Sequence, residues 1–247
     1  MGEGAAGNPL DPFVLVDQAV ARGALKPAVA NKLRERSGQL AAAITRVEKA
    51  SGLAYPPYYV EPSMPLATTS VEFGSVGALY ARVIPARFEG ALSIVVQFTA
   101  PLLIFGAKGT IEAVAAHEFT HYVDLVRRFS RMQVTSDERV GTLFESEYAD
   151  EERVVDPRTV FAGDRRLASL VSRKFAGGLA DEKLNEKVTR GWIEKGLPTR
   201  RVAPEDNVVS VDVGVIANTR FDPSVLARLD ELEAAAGKVK RVKKGGA

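Results

Sequence analysis

Residues 106–129 read GAKGTIEAVAAHEFTHYVDLVRRF, and this stretch decides the rest. Glycines at 106 and 109 punctuate the chain, Thr110 offers an N-cap hydroxyl, and Ile111, Val114, Leu125 and Phe129 then share one side of a helix expected over 111–129. The helix carries both histidines of the chain, His117 and His121. At about 100° per residue they stand about 40° apart, one turn above the other. Two imidazoles so placed converge on one divalent ion and supply two of the three protein ligands that a catalytic zinc site takes. Glu118 lies about 100° round from His117, beside such an ion but off the ligand line. A carboxylate there suits proton transfer from water to a leaving amine. The plain alternative is a solvated helix face. It explains less, because it leaves the H-E-x-x-H order of these residues to chance.

Upstream, the best strand candidates are 77–84 (GALYARVI) and 91–98 (ALSIVVQF), with a Pro-Ala-Arg-Phe-Glu-Gly turn region between them. Ile94-Val95-Val96 is almost continuously apolar, as in a strand covered on both faces. Residues 55–62 (YPPYYVEP) are aromatic and broken by proline, which suits an edge strand or an extended loop. Further back, Pro27 opens a long amphipathic helix carrying Val29, Leu33, Leu40, Ile44 and Val47, ended by Ser51-Gly52. A short helix is expected around 13–20, and the Gly- and Ala-rich residues 1–9 read as a flexible arm.

Downstream, a second helix is expected over 137–155, stopped at Asp156-Pro157. Helices follow at 165–175, 181–195 and 223–236, with a strand at 208–216. The segments divide into the arm 1–9, a main domain 10–200, an extension 201–237 packing on it, and a basic tail 238–247. The tail holds basic residues and no acid, which usually means a solvated end; nucleic-acid contact, if any, belongs there.

Composition narrows the function classes. The chain has 247 residues, 46% hydrophobic and 26% charged, enough for one sizeable core. With 33 basic and 31 acidic residues the net charge is +2, which argues against a dominant nucleic-acid field. Cysteine is absent, so disulfides, thiolate zinc knuckles, iron–sulfur clusters and thiol nucleophiles are excluded. No run approaches the ~18 apolar residues of a membrane span. No secretory signal is visible either, so the expected setting is cytoplasmic or an intracellularly assembled particle.

The H-E-x-x-H helix resembles that of the zincin metallopeptidases, which place this motif behind a mixed sheet. The metzincin branch needs a third histidine and a glycine after His121, and the sequence has neither in the needed place. It therefore looks like the gluzincin branch, in which a Glu on a following helix completes the site. The run HEFTHYVD, from His117 to Asp124, is also similar to the catalytic motif of the anthrax lethal factor protease domain. The resemblance implies a zincin-like α+β fold: a small mixed sheet, an active-site helix, a glutamate helix, and a mostly helical C-terminal part. It implies Zn²⁺ as cofactor and a peptide or protein as substrate.

The acidic candidates for the third ligand are Glu145, Glu147, Asp150, Glu151 and Glu152. In helical phase Val140, Leu143, Phe144, Tyr148 and Val155 form a stripe that includes Glu147 and Glu151. A carboxylate on a buried stripe is costly unless it is paired with a cation, so Glu147 is the expected ligand, Glu151 its neighbour and Glu145 the alternative. Asp124, on the face of His117, either accepts an imidazole N–H or pairs with Arg127 or Arg128. Tyr148 is the expected carbonyl-polarising group, with Tyr55, Tyr58 and Tyr59 as others within the aromatic loop. If the edge of strand 91–98 is open, a substrate peptide adds there as a further strand. A different class of function is a zincin-like assembly or binding module with a structural or vestigial metal site.

Overall fold

In the computed structural model, residues 10–68, 76–88, 91–130, 155–176, 178–202, 215 and 219–244 are described. They form a mixed α+β fold of eight α-helices and two small mixed sheets. Helix α1 (Val14–Ala21) leads into α2 (Pro27–Ser51), which starts on its proline and ends at Gly52 with φ 74°. That left-handed turn is open to glycine at no steric cost, and the Gly52 N–H closes the helix on the Glu48 carbonyl.

Strands β1 (Tyr58–Glu61), β2 (Met64–Thr68), β3 (Val76–Ala78), β4 (Ala81–Phe88) and β5 (Ala91–Thr99) follow. One sheet has the order β1-β5-β4, with β1 parallel and β4 antiparallel to β5. The other has the order β3-β2-β6, where β6 (Thr199–Val202) runs parallel to β2. The chain does not turn at Pro85. Strand β4 runs through it to Phe88, with Pro85 opposite Ile94, because an edge strand has one side on which a missing N–H breaks no ladder bond. Strand β5 is central rather than open-edged. The outer side of β1 is in turn occupied where the Val60 N–H donates to the Pro12 carbonyl at 2.8 Å.

From β5 the chain passes through α3 (Ala100–Phe105) to α4 (Lys108–Ser130), the H-E-x-x-H helix. Gly106 separates the two; a Cβ there would run into the Leu102 carbonyl oxygen. The Arg36 guanidinium donates to the Leu103 and Gly106 carbonyls, which places a cation at the C-terminus of α3. Helix α4 starts two residues earlier than Thr110, so Thr110 is no N-cap. Its hydroxyl lies in the first turn and donates to Asp181.

Helix α4 is the centre of the molecule. Ile111, Ala113, Val114, Ala115, Ala116, Phe119, Val123 and Val126 are buried on nearly all sides of it. A helix apolar around its circumference needs neighbours all round. They are α2, the β1-β5-β4 sheet, α6 (Arg165–Lys174) and α8 (Pro223–Lys244). Helix α5 (Pro157–Val160) precedes α6, and α7 (Glu182–Val188) follows it and runs on into a π-helical turn over Thr189–Ile193. Asp156, Asp164 and Asp181 cap α5, α6 and α7 by accepting from the N–H groups of Arg158, Leu167 and Leu184. Val225, Leu229 and Leu232 bury one side of α8, and the helix continues to Lys244, past the end expected at 236 and through 238–244 of the basic tail. The strand β6 crosses positions 200 and 201. The expected helix 137–155 lies outside the described residues except for Val155, and the expected strand 208–216 except for Val215. Among the described residues no helix is long and apolar enough to cross a membrane.

Candidate metal centre

His117 and His121 meet as their spacing requires. Both are half-buried, their Nε2 atoms lie 2.8 Å apart, and the rings cross at 87° with centroids 4.3 Å apart. Two zinc-bound imidazole nitrogens at about 2.05 Å from a tetrahedral ion would lie about 3.3 Å from each other. An opening of about half an ångström therefore turns this pair into a two-nitrogen seat. These two imidazoles would supply two nitrogen ligands to the metal that the motif implies. Thr120 donates its hydroxyl to the His117 carbonyl at 2.7 Å, a local bond within the same turn.

Glu118 is 6% exposed. Burial pushes its carboxyl up to about 8, since the charged form has lost its water. The Tyr55 phenol lies close enough to feel it: burial first, then the Glu118 charge, raises Tyr55 well above its ordinary value. Tyr55 is itself tied down. Its hydroxyl donates to the Ala115 carbonyl at 2.9 Å, and its ring stacks on Phe119 at 5.5 Å and Phe98 at 6.4 Å. A hydroxyl spent on the helix backbone supports α4 and is not an oxyanion donor. The Tyr59 hydroxyl accepts from Gln97 Nε2 at 2.8 Å, on the row Tyr59–Gln97–Arg82 across the sheet. Tyr58 packs edge-on against Tyr55 and Phe98.

Asp124 takes the ion-pair alternative. Its carboxylate accepts from Arg127 Nε at 3.0 Å and Arg128 Nε at 2.8 Å, within reach one turn further along α4. Among the described residues no imidazole donates to it.

Phe175 is the neighbour that sequence reasoning missed. Its ring lies flat on His117, centroids 3.7 Å apart and planes within 5°. The signal was partial. Leu167, Ala168, Val171 and Phe175 form one apolar stripe, which says that α6 buries that side but not that the stripe ends on a histidine.

Helix α6 is pinned to α4 at both ends. Arg46 of α2 bridges Glu112 (2.6 Å) and Asp164 (2.8 Å), and Lys174 donates to Asp181 at 2.6 Å, the residue that also receives the Thr110 hydroxyl. The Arg46 hydrogen bond holds Asp164 below the usual carboxylate range.

Glu145, Glu147, Tyr148, Asp150, Glu151 and Glu152 lie outside the described residues. Among the described residues no three His, Cys, Asp or Glu side chains gather as a metal-binding group. No protein-family model matches the chain, and no curated protein or solved structure matches it.

Proposed function

We propose that the chain is a zinc-dependent peptidase of the zincin kind, in which His117 and His121 supply two ligands, Glu147 the third, and Glu118 moves the proton. The observation that supports this reading most is the approach of the two Nε2 atoms to 2.8 Å on a helix whose next residue is a buried glutamate. When bound, zinc supplies a Lewis acid that acidifies a coordinated water and polarises the scissile carbonyl. Glu118, next to His117 on the same helix, would take a proton from the attacking water and hand it to the leaving amine. Tyr148 remains the group proposed to face the carbonyl oxygen. With β5 central and β1 occupied by Pro12, the proposed peptide-binding edge moves to β4.

Glu118→Gln tests the reading. It keeps shape and removes the proton carrier, so hydrolysis of a quenched-fluorescent casein should fall by about 10²–10⁴-fold. Zinc content by mass spectrometry should stay at the wild-type level. The second reading, an assembly module with a structural metal, is favoured by the covering of the site, with Phe175 against one imidazole face and Glu118 buried. Zinc retained by a wild-type protein that hydrolyses nothing would favour it.

A further inference from the structure

We infer that Phe175 is a positioning residue: it holds the His117 imidazole turned towards His121 and thereby sets the zinc affinity of the pair. The inference deepens the proposed metal site and rests on it. An imidazole on a helix has a broad, two-fold χ2 torsion, so helical spacing brings His117 near His121 without fixing which atoms face. Here Nε2 faces Nε2, and the ring lying parallel to His117 at 3.7 Å holds the plane in which the two nitrogens meet. At that separation the faces are in contact, and turning the imidazole about χ2 drives its edge into the phenyl ring.

Phe175 is able to hold another ring because it is itself held. It is 8% exposed, its N–H donates to the Val171 carbonyl at 3.0 Å, and the preceding Lys174 is locked to Asp181. The other end of α6 is anchored through Asp164 and Arg46 to Glu112. Both anchors end on α4, the helix that carries the histidines, so the phenyl and the imidazole keep their relative height. A π face also favours the electron-poor imidazole of a metal complex.

The test compares wild type with Phe175→Leu, which removes the flat face, and Phe175→Tyr, which keeps it. Phe175→Met, whose unbranched side chain adapts more readily to the gap, replaces the leucine variant if that one does not fold. Two readouts are taken on the full chain: zinc affinity by chelator competition, and the His117 ring-proton shifts of the metal-free protein. Wild type and Phe175→Tyr should show ring protons moved upfield by the stacked phenyl and equal zinc affinity. Phe175→Leu should lose the upfield shift and bind zinc about 10–100-fold more weakly. Wild-type affinity in Phe175→Leu, or equal weakening in Phe175→Tyr, overturns the inference, as does the absence of an upfield shift in wild type. A wild type that binds no zinc yet shows the shift overturns the metal reading and the affinity claim, and leaves the ring placement standing.

Discussion

Glu118 is where the site meets stability. In the metal-free fold its carboxyl is raised to about 8 from an ordinary 4.5 because burial strips its hydration. Below about pH 4.5 the carboxyl is neutral folded and unfolded, and the burial costs nothing. Above it the unfolded chain ionises while the fold keeps the proton, so stability declines as pH rises and levels off near the folded value. At about 1.4 kcal/mol per pH unit the whole shift is worth at most ~5 kcal/mol, and relaxation leaves about 2 kcal/mol as the expected effect. Glu118→Gln, with chelator present, should therefore stabilise the protein against urea by that amount near pH 8 and hardly at all near pH 4.5. A gain that does not change with pH would contradict this account of Glu118. The neighbouring residues divide by what their spacing could reveal. The approach of His117 to His121 was legible because one helical turn fixes their relation. Asp124 was ambiguous because the same turn offers it Arg127 and Arg128, and these take it. Phe175 was not legible as a site residue, because its place over His117 depends on how two distant helices pack.

Among the elements, α6 joins packing to the site. Arg46 ties Asp164 and Glu112 together with its guanidinium only part-exposed, so truncation leaves two carboxylates facing each other. Arg46→Met should lower the stability of the full chain by about 1–2 kcal/mol near neutral pH. Asp164 is held low by its hydrogen bond to Arg46, so its share of the stability is present above the ordinary carboxylate value and fades as pH falls through the depressed one. The difference between wild type and Arg46→Met in urea should accordingly shrink as the pH falls below the ordinary carboxylate value of 3.8; a constant difference would show that the bridge contributes only packing. The same scale shows what local sequence reveals of elements. Helix α2 was readable from Pro27 to Gly52, because both ends carry a residue whose backbone preference marks a helix terminus. The expected strand 77–84 ran the end of β3 into the first half of β4, which belong to different sheets, and stopped at Pro85, since proline reads as a stop unless the strand is known to be an edge. Strand β6 went unnoticed: Thr199-Arg200-Arg201 is exposed, with only Val202 buried, so hydrophobic alternation gives no signal.

For the whole molecule, the mixed α+β class followed from the switch between strand-like and helical periods, while the split into two sheets followed from pairing that period alone does not encode. The pairing matters to the site. Strand β5 sits between β1 and β4, and the chain leaving it enters α3 and then α4, so the histidine helix is packed against a finished sheet. Helices α2, α6 and α8 surround α4 and leave His117 and His121 half-buried at its interface with the end of α6. The central claim is that this pair, joined by a carboxylate from 145–152, holds a single zinc ion. Zinc per chain, measured by mass spectrometry on the purified full chain, tests it most directly. The account predicts a single zinc in wild type and in Glu145→Ala, and none in His121→Ala or Glu147→Ala. A wild-type chain without zinc, or full occupancy retained in His121→Ala, would contradict it.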